Sequence, residues 1–191
     1  QNLYYDNLPL GEIDKVNLTK EDYIEQDVEV NRNFNDLGLV IQEISPKNAT
    51  TTIAYDSNNL YPVSITDPLN NVSYTEYNLR NGQVATSTAP NGLMTVNTFE
   101  AFGRISKVQI SDPNNPSNLV TKQEIIYQDT NFPNYKETKD YFTTTNYTIS
   151  REYYDGLDRV IQKKAQLPTS GQYSTVDISY DSQGRMNRQS L

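Results

Sequence analysis

Apolar and polar residues alternate in short runs along this chain, as in Val28-Val30, Ile53-Tyr55, Val72-Tyr74, Met94-Val96 and Val176-Ile178-Tyr180. A period of two sends successive side chains to opposite faces of an extended backbone, so these runs predict half-buried β-strands. No segment carries an apolar stripe at helical spacing over several turns. The stretch Thr19 to Gln26 leaves a short helix open. Thr19 with Asp22 resembles a capping box there, and Leu18 and Tyr23 would staple it.

The strands are punctuated at a steady interval. Seven aromatic anchors, Phe34, Tyr55, Tyr77, Phe99, Tyr127, Tyr154 and Tyr180, lie 21, 22, 22, 28, 27 and 26 residues apart. A polar side chain follows each: Asn35, Asp56, Asn78, Glu100, Gln128, Asp155 and Asp181. Four positions after the anchors stand Gly38, Asn59, Asn81, Gly103, Asn131, Asp158 and Gly184. The aromatic ring suits the end of a strand. The next side chain accepts hydrogen bonds from the backbone just ahead and starts a turn. The fourth residue closes a type I turn in the left-handed region, which Gly, Asn and Asp tolerate best. A fixed period in this range marks a repeat architecture.

A second turn falls between the anchors. Pro46, Pro68, Pro90, Pro113 and Pro168 come 12, 13, 13, 14 and 14 residues after their anchors. Turn formers follow at Asn48, Asn70-Asn71, Asn91-Gly92, Asn114-Asn115 and Ser170-Gly171. Each repeat therefore reads as strand, aromatic-led turn, strand, proline-led turn. The fifth repeat departs: Pro133 comes early, and Tyr141 to Asn146 replaces the distal proline turn, which predicts an irregular hairpin. The expected fold is all-β, an antiparallel meander of repeated β-hairpins forming a twisted, curved, strip-like sheet. Residues 1–27 read as a leader segment or the end of a preceding region, and 28–191 as the array of about seven repeats. An isolated strip exposes unpaired strand edges, so edge-to-edge self-association is expected.

Composition sharpens this reading. Hydrophobic residues are 35% and mean hydropathy is −0.74, low for a thick core, while the 15 tyrosines argue against disorder. Tyrosine serves where one end of a side chain is dry and the other wet. A net charge of −8 without a basic cluster makes nucleic acid a poor partner. No apolar run is long enough to span a membrane. The chain has no cysteine, and its Asn-x-Ser/Thr sequons at Asn17, Asn48, Asn71 and Asn146 read as coincidences of an Asn-rich sequence.

Candidate chemistry is sparse. Without His or Cys, the commonest general base and the thiol nucleophile are missing. Asp56, Asp155 and Asp181 are the carboxylates a glycosidase would need, but their recurrence at one turn position explains them structurally. Asp56 to Asn59 and Asp112 to Asn115 offer oxygen ligands yet lack the full spacing of a calcium loop. No cofactor or metal is expected. Arg104, Arg159 and Arg185 each follow the closing turn residue and read as partners of turn carboxylates across the hairpin. The tyrosines read as a cross-strand aromatic ladder.

The unit Tyr180-Asp181-Ser182-Gln183-Gly184-Arg185-Met186 resembles the YD repeat of Rhs proteins, of the B and C components of bacterial toxin complexes, and of teneurins. Tyr154 to Val160 is similar with Asp158 in place of glycine, and Phe99 to Ile105 keeps Gly103-Arg104. Tyr55-Asp56 keeps the pair without Gly-Arg, and the opening Tyr4 to Glu12 looks like segments that precede such repeats. The resemblance implies a β-strip spiralling into a hollow shell around a polypeptide cargo, here as a non-catalytic segment. Its partners would be the remainder of the parent polypeptide and the enclosed cargo, and its location secreted or bacterial cell surface. A cell-surface adhesion or carbohydrate-binding repeat protein is the alternative, and a glycoside-acting enzyme a more distant one.

Overall fold

In the computed structural model, residues 1–23, 28–168 and 171–190 are described. The chain is all-β, with sixteen strands and no helix among the described residues. It divides into two compact units, Gln1–Met94 and Thr95–Leu191.

The first unit holds β1 (Asn2–Tyr5), β2 (Leu18–Tyr23), β3 (Val28–Phe34), β4 (Val40–Ile44), β5 (Thr50–Tyr55), β6 (Pro62–Thr66), β7 (Val72–Tyr77) and β8 (Val84–Thr88). Each pairs antiparallel with the next in chain order. The second holds β9 (Met94–Phe99, from its second residue), β10 (Ile105–Asp112), β11 (Asn115–Gln128), β12 (Asn134–Tyr141), β13 (Tyr147–Tyr154), β14 (Val160–Gln166), β15 (Tyr173–Tyr180) and β16 (Met186–Gln189). It repeats the same sequential pairing.

The stretch from Thr19 is a strand as far as Tyr23, not a helix; Gln26 lies outside the described residues. The side chain expected to cap a helix is used across the sheet instead. Thr19 Oγ1 donates to the Tyr4 carbonyl at 3.2 Å and accepts the Asn7 N–H at 3.1 Å. Lys20 and Glu21 are engaged by Glu29 and Arg32 of the neighbouring strand, so cross-strand ion pairs replace the i,i+4 partners that a helix needs.

No hydrophobic residue is buried among the described residues; those that are buried are Thr19, Ser111, Glu137 and Thr138. The accessible surface is 12936 Å². A compact monomer of this mass would expose roughly 9,300 Å². Each unit is thus a single layer, and its cohesion comes from the hydrogen-bond ladder and from side chains that bridge strands on both faces. On one face of β12–β14, Glu137, Arg151, Tyr135 and Tyr153 cluster; on the opposite face, Glu152 joins Lys136 and Lys163.

Three of the proline-led turns share one geometry, whereas the Pro113 turn has no positive-φ residue and pairs Asp112 directly with Asn115. Asn48, Asn70 and Gly92 donate their N–H to the carbonyl three residues back, at Ser45, Asp67 and Ala89. All three adopt positive φ (56°, 62° and 81°). Proline fixes the second turn position, and the left-handed residue returns the chain to the next strand. Gly171 also has positive φ, whereas its neighbour Ser170 lies outside the described residues. The fifth repeat closes instead at Phe142 to Asn146, where Thr143 Oγ1 accepts the Asn146 N–H at 2.9 Å.

Candidate functional site

The recurring aromatic turn is the structural unit of this protein. In its regular form the anchor ends a strand, the next residue opens a type I turn, and the fourth closes it with positive φ. Gly38 (76°), Asn59 (54°), Gly103 (84°), Asp158 (58°) and Gly184 (77°) do so. Each donates its N–H to the carbonyl of the residue after its anchor: Asn35, Asp56, Glu100, Asp155 and Asp181. Phe34, Tyr55, Tyr77, Tyr154 and Tyr180 each sit at a shift of register, the bulge that such a turn leaves in the ladder. The Phe99 hairpin shifts at Ile105/Lys107.

The turns after Tyr55 and Tyr77 are one residue longer, with the Asp56 and Asn78 N–H groups reaching the Tyr61 and Gln83 carbonyls. Two anchors differ in the closing residue. After Tyr77 the left-handed residue is Gly82, not Asn81, and Asn81 and Gly82 both donate to the Asn78 carbonyl. After Tyr127 there is no bulge, and Asn131 has no positive φ; a cis Phe132-Pro133 peptide follows it.

The residue after the anchor acts as a cap. Asp155 Oδ1 accepts the N–H groups of Leu157 (2.9 Å) and Arg159 (3.0 Å), and Asp181 Oδ1 those of Gln183 and Arg185 (both 2.9 Å). Asn35 serves Leu37 and Leu39 in the same way, Asp56 serves Leu60 and Tyr61, and Glu100 serves Phe102 and Arg104. The carboxylates considered for catalysis or calcium each accept backbone N–H groups of their own turns, including Asp112, which accepts from Asn114 N–H at 2.9 Å. Among the described residues no three acidic groups converge as a metal site would require.

Each arginine pairs with the carboxylate that opens its own turn, across the end of the hairpin, and Arg104 also binds Asp129 of the following turn. Arg159 Nε meets Asp155 Oδ2 at 2.8 Å, Arg185 Nε meets Asp181 Oδ2 at 2.8 Å, and Arg104 Nε meets Glu100 Oε1 at 3.1 Å. So held, the guanidinium reaches the next repeat. Arg104 lies 3.9 Å over the Tyr127 ring and Arg159 lies 4.5 Å over Tyr180. The same tyrosines return a hydrogen bond: Tyr127 OH donates to the Ile105 carbonyl (3.2 Å) and Tyr180 OH to the Val160 carbonyl (2.9 Å). Both acceptors directly follow the arginine. Tyr55 OH makes the corresponding bond to the Val40 carbonyl at 3.1 Å. Each motif residue therefore has one job: the acid fixes the turn and aims the arginine, the arginine seats the next tyrosine, and that tyrosine locks the preceding strand start.

Glycine at the closing position has a second reason. A Cβ on Gly184 would stand 3.3 Å from Arg159 Nη1, and one on Gly38 3.1 Å from Asn17 Oδ1. The aromatic ladder expected from the sequence is confined to Tyr61–Tyr77, Tyr135–Tyr153 and Tyr141–Tyr147 among the described residues, and Tyr77 is the one anchor in it. Sequence reasoning also missed Tyr5-Asp6 as a further anchor. Asp6 accepts four backbone N–H groups, from Asp14, Lys15, Val16 and Asn17. The Tyr-Asp pair was the available signal, but its long loop hides the period.

The carboxylates make this network sensitive to acid. Asp155 is held below the usual range by the Arg159 side chain, and Asp181 by the Arg185 N–H and then its side chain. Burial would raise Glu152, yet Lys136 at 3.0 Å and Lys163 at 3.1 Å outweigh it and bring the pKa from 4.5 to about 2. A depressed pKa in the folded state contributes stability that is fully present above the unfolded value and is lost as pH falls through the folded one. Thermal unfolding followed against pH is expected to hold level above 4.5 and to drop toward pH 2. Glu152→Gln lowers the plateau and flattens the drop; an unchanged slope would show that Glu152 does not carry it.

Fold and clamp together define the class: a YD-repeat-like array of β-hairpins, the kind to which the sequence is similar. Solved structures of TcdB2-TccC3 share this fold. One superimposes with a TM-score of 0.63 at 14% identity over 88% of this chain. Another, described as TcdB2-TccC3-Cdc42, gives 0.64 at 11% identity over 90% of it. The form without its hypervariable C-terminal region gives 0.62 at 11% identity. This chain spans 11–14% of the length of those chains. No family model and no curated protein matches the sequence.

Proposed function

We propose that this chain is a length of wall in a larger, extracellular toxin-complex-like polypeptide, that it has no catalytic role, and that it helps to enclose a polypeptide cargo. The observation that carries this reading is the acid–Arg–Tyr clamp that ties one hairpin to the next at two joints of the second unit without an apolar core. A sheet held in this way can be lengthened hairpin by hairpin, with each added repeat supplying its own fastening. A core-bound fold must instead close on itself. Among the described residues the outer edges of β1 and β16 pair with no other strand, which leaves each open to a further hairpin of a longer polypeptide. Likeness of fold to TcdB2-TccC3 and the small share of those chains that it spans support the same reading.

Limited proteolysis of a longer polypeptide containing this chain tests it. Enclosure predicts that a downstream region resists protease while the wall is intact and becomes sensitive when the wall is unfolded. Digestion of that region at the rate of the same region made alone would rule enclosure out.

A further inference from the structure

In the second unit, the clamp is complete at two of three joints. Tyr127 carries Arg104 and Tyr180 carries Arg159, but among the described residues no cation lies over Tyr154. The residue that should supply it, five positions after Tyr127, is Phe132, and its side chain is 74% exposed. Tyr154 OH correspondingly turns to Glu152 Oε2 at 3.1 Å instead of to a backbone carbonyl.

The vacated joint is a cleft of about 250 Å³, lined by Arg104, Tyr127, Asp129, Lys136, Tyr154 and Asp158 among others. Its own cations are already neutralised. Arg104 binds Glu100 and Asp129, and Lys136 binds Glu152. Asp158 has no hydrogen bond or ion pair through its carboxylate among the described residues. It stands at the position where the next turn carries Gly184, whose Cα hydrogen faces the Arg159 guanidinium. The joint thus lacks an arginine and has gained a free carboxylate beside the place an arginine would occupy.

We propose that this cleft binds an arginine side chain of another polypeptide segment, with its guanidinium over the Tyr154 ring and paired to Asp158. Arg104 is the precedent within the same unit: its guanidinium lies over Tyr127 while a carboxylate of the following turn, Asp129, binds it from the side. Guanidinium is favoured over ammonium because a plane stacks on a ring and still presents N–H groups at its edge. The inference does not depend on enclosure of a cargo.

The test is an NMR titration of the full chain carrying ring-labelled tyrosine, with Tyr154 assigned through Tyr154→Phe. N-acetyl-arginine amide is expected to shift the Tyr154 ring signals saturably, with N-acetyl-lysine amide weaker. Asp158→Asn should weaken arginine binding about 5-fold, the size of a single exposed ion pair, while the Tyr180 signals stay unchanged and report an intact fold. Tyr154 signals that stay unmoved up to the solubility limit of the probe would overturn the proposal, as would equal binding by Asp158→Asn. Tighter binding of free arginine than of the blocked amide would mark a small metabolite and remove the polypeptide assignment.

Discussion

Arg151→Met is expected to destabilise the chain by about 2–3 kcal/mol, read as a shift in urea midpoint at constant slope. Glu137 stands directly opposite Arg151 in the β12–β13 register and is 8% exposed, among the most buried residues described. Its Oε2 receives both Nε and Nη2 of Arg151 at 2.6 Å. Methionine keeps much of the stem but leaves the carboxylate half-dry and unpaired. Removing one partner of a fully buried pair costs about 3–5 kcal/mol; the guanidinium here is 35% exposed, and water reduces the loss. Adding Glu137→Leu should restore most of the stability, because two apolar side chains then face each other across the ladder. If the double variant is no better than Arg151→Met, the loss lies in the contact between Arg151 and the Tyr135 ring.

Tyr127→Ala should cost about 2–3 kcal/mol, the sum of a hydrogen bond near 1 kcal/mol, a cation–π contact of about 0.5–1 and the burial of half a ring. Tyr127 is the receiving half of the clamp, under Arg104 and bonded to the Ile105 carbonyl. Tyr127→Phe removes the hydroxyl alone and should cost about 1 kcal/mol. Arg104→Ala in the Tyr127→Ala background should then add less than it does alone, since the two residues act as one joint. Strict additivity would show that arginine and tyrosine stabilise their own turns independently and that repeats are joined by the backbone ladder alone.

Much of the turn chemistry was legible in the residues. A hydrogen-bonding side chain followed three residues later by Gly, Asn or Asp encodes a local conformation, and local conformations need no knowledge of distant partners. Where the local signal was ambiguous, the ladder decided. Asn81 and Gly82 both tolerate the left-handed region, and the turn chose the glycine. Thr19 to Tyr23 carried capping residues, yet partners at Tyr4, Glu29 and Arg32 drew it into a strand. Asn131 had the right residue type at the right spacing, but the early proline moved the chain onto a different path.

The sequence by itself determined the rhythm of strands and corners, because alternation and turn formers act over a few residues. It also determined that there would be no thick core, because there are too few apolar residues to build one. Only the tertiary structure decided what each recurring side chain touches. Arginine and tyrosine meet across more than twenty residues of chain, and that meeting depends on register, which the bulges in the Phe99, Tyr154 and Tyr180 hairpins help to set.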